Sequence, residues 1–214
     1  MNQMAIAPLK AVAPVTRPNQ RALAKQRTRE KILTAATLLF SEHGYDGATI
    51  RDIAKAAGMS TGAVFASFAD KSDLFGEIVA AESKALEQEM LAALDSHGRG
   101  CAILAMLDAA AVRHMADLAL FQATMSALWT PGLGAQVRRR LLQRSATRLI
   151  AEALKSLPGV ESSDTDDKNV IAEMIWDGYV GVLRRAALES LTLDQVRGRL
   201  AREVGVIVAG SRRN

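Results

Sequence analysis

The stretch TIRDIAKAAGMSTGAVFASF, residues 49–68, constrains the fold of this chain more than any other part of it. Thr49 and Ser60 can each cap a short helix, and a Gly-Met-Ser turn lies between the two helices. In the second helix Val64 and Phe68 lie one turn apart and point inward. Two short helices joined in this way predict a helix-turn-helix, which needs further helices to cover its apolar faces.

The helical period of 3.6 residues extends along most of the chain. Before the motif, apolar residues recur at i, i+4, i+7 and i+8, namely Ile32, Ala36, Leu39 and Phe40. Asp70, with Asp73 three residues on, can open a fourth and longer helix. Further periodic stretches predict helices near residues 100–116, 117–129, 134–157, 168–190 and 193–209. Only 4% of the residues are aromatic and no strand pattern occurs. We therefore predict an all-α fold of about nine helices, in which a three-helix bundle is joined by a long helix to a larger helical domain.

Basic residues cluster just before the first predicted helix and in its first turns. The segment from Arg17 to Lys31 holds six basic residues and one acid, a net charge of +5. Such a cluster is typical of a protein that binds a polyanion, although a solvated helix face has the same composition. Arg21 and Lys25 are the candidates for DNA contacts, with the preceding arm entering a minor groove.

The segment RTREKILTAATLLFSEHGYDGATIRDIAKAAGMSTGAVFASFADKSDLF resembles the DNA-binding region of the tetracycline-repressor (TetR) family of bacterial transcription factors. The resemblance covers roughly residues 25–80 and depends on these positions: Ile32, Ala35, Ala36, Leu39, Phe40, Gly44, Tyr45, Thr49, Ile53, Ala54, Ala57, Gly58, Ser60, Gly62, Phe68 and Lys71. It implies a ligand-responsive repressor that binds a palindromic double-stranded DNA operator as a homodimer. Alternatives are a helical ligand-binding protein or enzyme with a degenerate DNA-binding bundle, and an activator or architectural protein without effector control.

The resemblance also implies which residues of the motif meet DNA: Thr49, Ser60, Thr61, Gly62, Ala63, Phe65, Ala66 and Lys71. The outward side chains of the second helix are small, which lets its N-terminus sit deep in a major groove. Arg51 supplies positive charge for phosphate contacts beside it. The family typically has Tyr where this chain has Phe65, and often His or Tyr where it has Ala66 and Ser67. A small residue at these positions can also serve only to avoid a steric conflict.

The predicted organisation has three parts, which are a disordered arm (1–20), the DNA-binding domain (21–70) and an effector-binding and dimerisation domain (71–214). The arm lacks the uninterrupted apolar core of a signal peptide, and no stretch approaches the length of a membrane span. We therefore expect a cytoplasmic protein with no membrane partner. The single cysteine, Cys101, excludes an intramolecular disulfide.

Two apolar helices near the C-terminus can form either an intramolecular core or a subunit interface. The resemblance implies that they form a dimer, with Gly178 and Gly181 permitting close helix approach. The residues predicted for this interface are Ile171, Ile175, Tyr179, Val182, Val196, Leu200, Val204 and Ile207.

In the family the middle helices usually surround a small-molecule pocket. The residues predicted to line it here are Met106, His114, Met115, Phe121, Met125, Trp129, Met174 and Trp176. The same Met and aromatic residues are typical of an ordinary core. Mostly apolar candidates favour a hydrophobic or aromatic effector whose identity the sequence leaves open. No dinucleotide fingerprint, metal-ligand spacing or nucleophile–base pair is found, so we expect neither a cofactor nor a metal nor an enzyme.

Overall fold

The computed structural model describes residues 20–96, 101–131, 133–135, 137, 145–157, 160 and 164–211. Within these ranges the chain forms nine helices: α1 (Gln20–Gly47), α2 (Ile50–Ala56), α3 (Thr61–Phe65), α4 (Lys71–Ser96), α5 (Ala102–Ala116), α6 (Leu118–Ala127), α7 (Ser145–Leu154), α8 (Thr165–Glu189) and α9 (Leu193–Ser211). They contain no strand, and none of these helices combines the length and apolarity that a bilayer crossing requires. The all-α prediction is confirmed. The predicted arm, apart from Gln20, and residues 136 and 138–144 of the predicted helix 134–157 lie outside the described residues.

The first three helices and the start of α4 enclose one hydrophobic core. We call α1–α3 the head. The buried side chains of this core come from α1, α2, α3, the turn after α3 and the start of α4, and they include Ile32, Phe40, Ile53, Val64, Phe68, Leu74 and Phe75. Gly44 has a φ angle of 70°, which glycine adopts at little steric cost, and it kinks α1 at the predicted stop.

Helix α4 connects the head to the rest of the molecule. Two acidic side chains fix its start, as the sequence predicts. Asp70 Oδ1 accepts a hydrogen bond of 2.7 Å from the backbone N–H of Asp73, and Asp73 Oδ2 accepts one of 3.0 Å from that of Ala69. Phe75, near the start of α4, is buried in the head core, and Met90, four turns further on, is buried in a second core.

The second core lies between α4, α5 and α7–α9. The side chains that we predicted for a dimer interface are buried in this core or pack against it. Ile171, Ile175, Tyr179, Val182, Val196, Leu200 and Val204 are buried inside the protomer, and Ile207 packs partly buried against them. Seven of these eight side chains therefore have almost no surface to offer to a partner protomer, whereas Ile207 keeps part of its own, and the predicted interface stays a prediction. An apolar period indicates that a helix face is covered but not what covers it.

Helix α6 packs along α1 and ties the head to the C-terminal region. The head core includes Leu120 and Ala127 of α6. Beyond α6, Thr130 Oγ1 donates a hydrogen bond of 3.0 Å to Asp46 Oδ2. The predicted domain boundary at residue 70 stays a prediction. Residues before and after this boundary contribute side chains to the same hydrophobic core.

Candidate nucleic-acid interface and ligand cavity

Helix α3 has one buried side and one bare, exposed side. Val64 is fully buried and Phe68, just past the helix, is nearly so, whereas Thr61, Gly62 and Ala66 are exposed. Ala63, also predicted for DNA, is partly buried. The outward face consequently carries little more than backbone, and a duplex could approach it closely.

Side-chain caps orient the N-termini of both helices in the motif. Thr49 Oγ1 accepts a hydrogen bond of 3.2 Å from the backbone N–H of Asp52, and Ser60 Oγ accepts one of 3.2 Å from that of Ala63. Thr49 and Ser60 are themselves exposed. Both caps were predicted from the sequence, because capping depends on residues only three positions apart.

Phe65 lies at the C-terminal end of α3 and is 55% exposed. Arg51, on the neighbouring α2, is also exposed. The motif therefore presents an apolar ring and a guanidinium beside the small-residue face.

The basic residues of α1 fall into two groups. Arg21 and Lys25 are exposed, in the part of α1 that precedes its first buried residue, Ile32. Arg29 instead donates hydrogen bonds to the Ser67 carbonyl and the Glu77 carboxylate, and its guanidinium lies 4.2 Å from the centroid of the Phe68 ring. Arg29 thus connects α1 to the end of α3 and to α4.

Lys71 has contacts within the protein that the sequence did not predict. Its Nζ donates hydrogen bonds of 2.8 Å to the Tyr45 carbonyl and 3.2 Å to the Ala48 carbonyl, and it lies 4.4 Å from the centroid of the Tyr45 ring. An ammonium group has three donors, so at most one of them is left for a phosphate.

A cavity of about 120 Å³ lies between α4, α5, α6, α7 and α8. Four of the predicted effector-binding residues line it, namely His114, Phe121, Met125 and Trp176. The other four do not. Met106 and Met115 pack in or against the second core, Met174 is exposed, and Trp129 is 87% exposed.

The cavity also has charged walls, which the sequence did not indicate. Glu82, Glu87 and Asp117 line it together with Arg113. Arg113 Nε and Nη2 donate to Glu89 at 2.9 and 2.7 Å, and Nη1 donates to Glu82 at 2.9 Å. The hydrogen bonds to Glu89 raise the pKa of Arg113, and the nearby Glu82 carboxylate raises it further, so its charge is held at every working pH. These partners come from α4 and α5, and no local spacing signals their pairing.

His114 forms part of an aromatic cluster at the cavity. Its Nδ1 lies 2.6 Å from the Tyr179 hydroxyl, and its ring centroid lies 4.7 Å from that of Phe121. Burial, reinforced by the positive charge of Arg113, lowers the pKa of His114 to about 4, so its imidazole is neutral at pH 7. Burial also raises the pKa of the Tyr179 phenol, which stays protonated.

Comparison with known proteins identifies the N-terminal region. The family described as bacterial regulatory proteins, tetR family, matches residues 32–78. The chain is 51% identical over 53 residues to the HTH-type transcriptional regulator AcrR of Shigella flexneri, which is 25% of each chain. It is 50% identical over 48 residues to the HTH-type transcriptional repressor AcnR of Corynebacterium glutamicum, 22% of this chain and 26% of that one. These matches span about a quarter of the relatives' length.

Solved structures resemble the chain over most of its length. SmeT, the repressor of the Stenotrophomonas maltophilia multidrug efflux pump SmeDEF, has a TM-score of 0.65 at 22% identity, covering 87% of this chain and 91% of SmeT. FadR of Bacillus subtilis in complex with stearoyl-CoA has a TM-score of 0.70 at 17% identity, covering 85% and 98%. SmeT has also been solved as a triclosan complex. At these identities the likeness shows the fold.

Proposed function

We propose that this chain, which belongs through residues 32–78 to the tetR family of bacterial regulatory proteins, is a ligand-responsive transcriptional repressor that binds a palindromic operator as a homodimer. The observation that carries this proposal is the exposed small-residue face of α3. With Val64 and Phe68 buried behind it, Thr61, Gly62 and Ala66 leave the helix free to enter a major groove. The same exposed face favours a DNA-binding regulator over an enzyme. We expect the protein to act in the cytoplasm.

On DNA, we assign α3 to the bases and the surrounding side chains to the backbone. We assign Thr61 and Ala63 to contacts with a thymine methyl, and Ser60 and Thr49, at helix N-termini, to phosphate. Arg51, Arg21 and Lys25 supply charge for further phosphates, and Lys71 offers its remaining N–H. Most of the affinity and its salt dependence would come from these phosphate contacts.

For the dimer, we replace the predicted residues by the exposed apolar side chains of the same two helices. Val170, Met174 and Leu188 on α8 are exposed and lie on one side of the helix, since residues 170 and 188 are five full turns apart. Gly181 lies between them, and a β-carbon added there would meet no atom within 4 Å, so a partner helix could approach. A β-carbon added at Gly178 would instead contact Glu203 of the same protomer. Val206 on α9 is also exposed and would extend the surface.

Effector control is supported by the contacts of the cavity with the head. Helix α4 runs from the head core past the cavity, and α6, which borders the cavity, packs on α1. A ligand that shifts either helix would change the separation of the two heads in a dimer, and with it the operator affinity. SmeT and FadR, which share the fold, have been solved with small molecules bound.

The proposal is tested by titrating the protein against the DNA upstream of its own gene, using fluorescence anisotropy at several salt concentrations. We expect one preferred palindrome and a steep salt dependence. Ala66→Glu should weaken binding at least tenfold, because it places a carboxylate against the duplex. Ala81→Glu, the same change at an exposed position of α4, should not. Uniform binding to all DNA would indicate an architectural protein, and no binding would refute the proposal.

A further inference from the structure

We infer that the cavity between α4, α5, α6, α7 and α8 binds a small organic cation that carries one aromatic or apolar group. This inference rests on the proposed function, because it names the chemical class of the effector. It differs from the hydrophobic or aromatic effector that the sequence suggested, because the new ligand carries a positive charge. The charged side chains that favour such a ligand are brought together only by the tertiary structure.

In the part of the chain that the structure describes, carboxylates outnumber cationic side chains around the cavity. Among the described residues that line it, Glu82, Glu87 and Asp117 are acidic and Arg113 is basic, while His114 is neutral at pH 7. Two further described residues are partners of these side chains, namely Glu89 on Arg113 and Arg148 at 3.4 Å from Glu87. With them the described residues give four carboxylates against two guanidinium groups. A ligand entering this space would meet a negative potential.

Arg113 is poorly available to an anionic ligand. Three of its five N–H donors are used by Glu82 and Glu89. An anion that approached the guanidinium would lie within reach of both carboxylates, and their repulsion would offset the attraction. The cavity therefore lacks a free positive group among the described residues. Its walls still carry the charge of two more carboxylates: Glu87 has the exposed Arg148 nearby at 3.4 Å, and Asp117 accepts hydrogen bonds from the neutral donors Ser41 and Leu120 N–H.

The remaining walls suit the apolar part of such a cation. Phe121, His114 and Trp176 present aromatic rings, and Trp176 is stacked on Tyr179 with their centroids 4.8 Å apart. A cation held over an aromatic face gains attraction from the ring quadrupole, most strongly with tryptophan. Leu120 and Met125 complete an apolar surface. Acidic and aromatic walls in one cavity match a ligand that is charged at one end and apolar at the other.

The size of the cavity limits the ligand. A protein cavity of roughly 150 Å³ holds one benzene molecule. The 120 Å³ found here is of the same order, so it suits a ligand with no more than one ring. Benzyltrimethylammonium combines one ring with one cationic group, and phenylacetate and benzyl alcohol are the corresponding anionic and neutral probes.

The chain offers a direct optical readout. It has two tryptophans, Trp129 and Trp176. Because Trp129 is highly exposed, Trp129→Phe should preserve the fold and leave Trp176, in the cavity wall, as the reporter. In this background we expect benzyltrimethylammonium to change the Trp176 fluorescence saturably, with an affinity at least tenfold above those of phenylacetate and benzyl alcohol.

Two matched variants test the role of charge. Glu87→Gln removes one carboxylate from the cavity and should weaken benzyltrimethylammonium binding at least threefold, with no effect on benzyl alcohol. Glu152→Gln makes the same change at an exposed site on α7 that does not line the cavity, and it should leave binding unchanged. Equal or tighter binding of either comparison probe, or no saturable change with the cation, would overturn the inference.

DNA binding of the same samples separates the two proposals. A protein that binds an operator but does not discriminate in favour of the cation refutes only the ligand class. A protein that binds the cation selectively but has no affinity for DNA refutes only the repressor function.

Discussion

Ser41 on α1 donates a hydrogen bond of 3.1 Å to Asp117, which lines the cavity and begins α6. The other carboxylate oxygen of Asp117 accepts a hydrogen bond of 2.8 Å from the backbone N–H of Leu120, so the same side chain caps α6. One carboxylate therefore connects the cavity, the helix that borders it and the first helix of the head.

Asp117→Ala should lower the free energy of unfolding by about 1–2 kcal/mol, because α6 loses its N-cap and α1 loses a partner. Asp117→Asn keeps one oxygen to accept the hydrogen bond from the Leu120 N–H, and its amide NH₂ can donate to the Ser41 hydroxyl oxygen, so it should cost much less. Urea denaturation followed by circular dichroism measures both variants. Equal stability of Asp117→Ala and the unmodified protein would show that the cap is not used.

Phe65→Tyr should bind the operator as tightly as the unmodified protein or more tightly. The added hydroxyl, on a ring that is already largely exposed, can donate to a phosphate, a gain of roughly 1 kcal/mol or about fivefold in affinity. Anisotropy titration at fixed salt gives the dissociation constant. Clearly weaker binding would mean that the ring does not face the DNA backbone.

The two groups of basic residues on α1 should respond differently to neutralisation. Lys25→Gln should leave stability unchanged and reduce the salt slope of DNA binding by about one, since an exposed charge is lost. Arg29→Gln should destabilise the head by about 1–3 kcal/mol, because it removes contacts with Ser67, Glu77 and the Phe68 ring. Thermal unfolding and salt-dependent titration of both variants distinguish these effects. A destabilised Lys25→Gln variant, or an Arg29→Gln variant of unchanged stability, would contradict the assignment of Lys25 to DNA and of Arg29 to contacts inside the protein.

His114 should make the protein less stable in mild acid. Its pKa of about 4 lies below the value of 6.5 expected in the unfolded chain, so the unfolded state binds more protons between these values. Stability is therefore complete above pH 6.5 and falls as the pH drops towards 4, by at most about 3 kcal/mol from this residue. Comparing urea unfolding of the unmodified protein and His114→Gln at pH 7 and pH 4.5 isolates this contribution from that of the carboxylates. Parallel pH dependence of the two proteins would count against it.

Leu188→Asp should convert the proposed dimer to a monomer. Leu188 is 77% exposed on α8, and a carboxylate there would be buried without a partner in the interface. Leu38→Asp on α1, where the side chain is 56% exposed, is the matched control and should remain dimeric. Light scattering coupled to size-exclusion chromatography gives the mass. Dissociation of both variants, or of neither, would argue against this interface.

The head shows how much of the structure can be predicted from the sequence alone. Its three helices, the two caps at Thr49 and Ser60, and the inward positions of Val64 and Phe68 were all predicted and are all found in the structure. Each of these features depends on residues within one or two turns of each other. The sequence did not indicate that Arg29 and Lys71 serve contacts inside the protein, because their partners lie on other helices.

The lining of the cavity, in contrast, could be predicted only in part from the sequence. Four of the eight residues predicted to line it do so, as expected when apolar helices converge, but none of its charged residues was anticipated. Arg113 meets Glu82 and Glu89 only because α4 packs against α5.

The amino-acid sequence by itself determined the helices of this protein, their caps and the bare face of α3, since these follow from local periodicity and hydrogen bonding along one chain. Only the tertiary structure decided that the apolar faces of α8 and α9 form the protomer's own core, and that an acidic and aromatic cavity lies beside α6. The physical reason is that hydrophobic burial is non-directional: it requires that a face be covered, and the packing of distant helices selects what covers it.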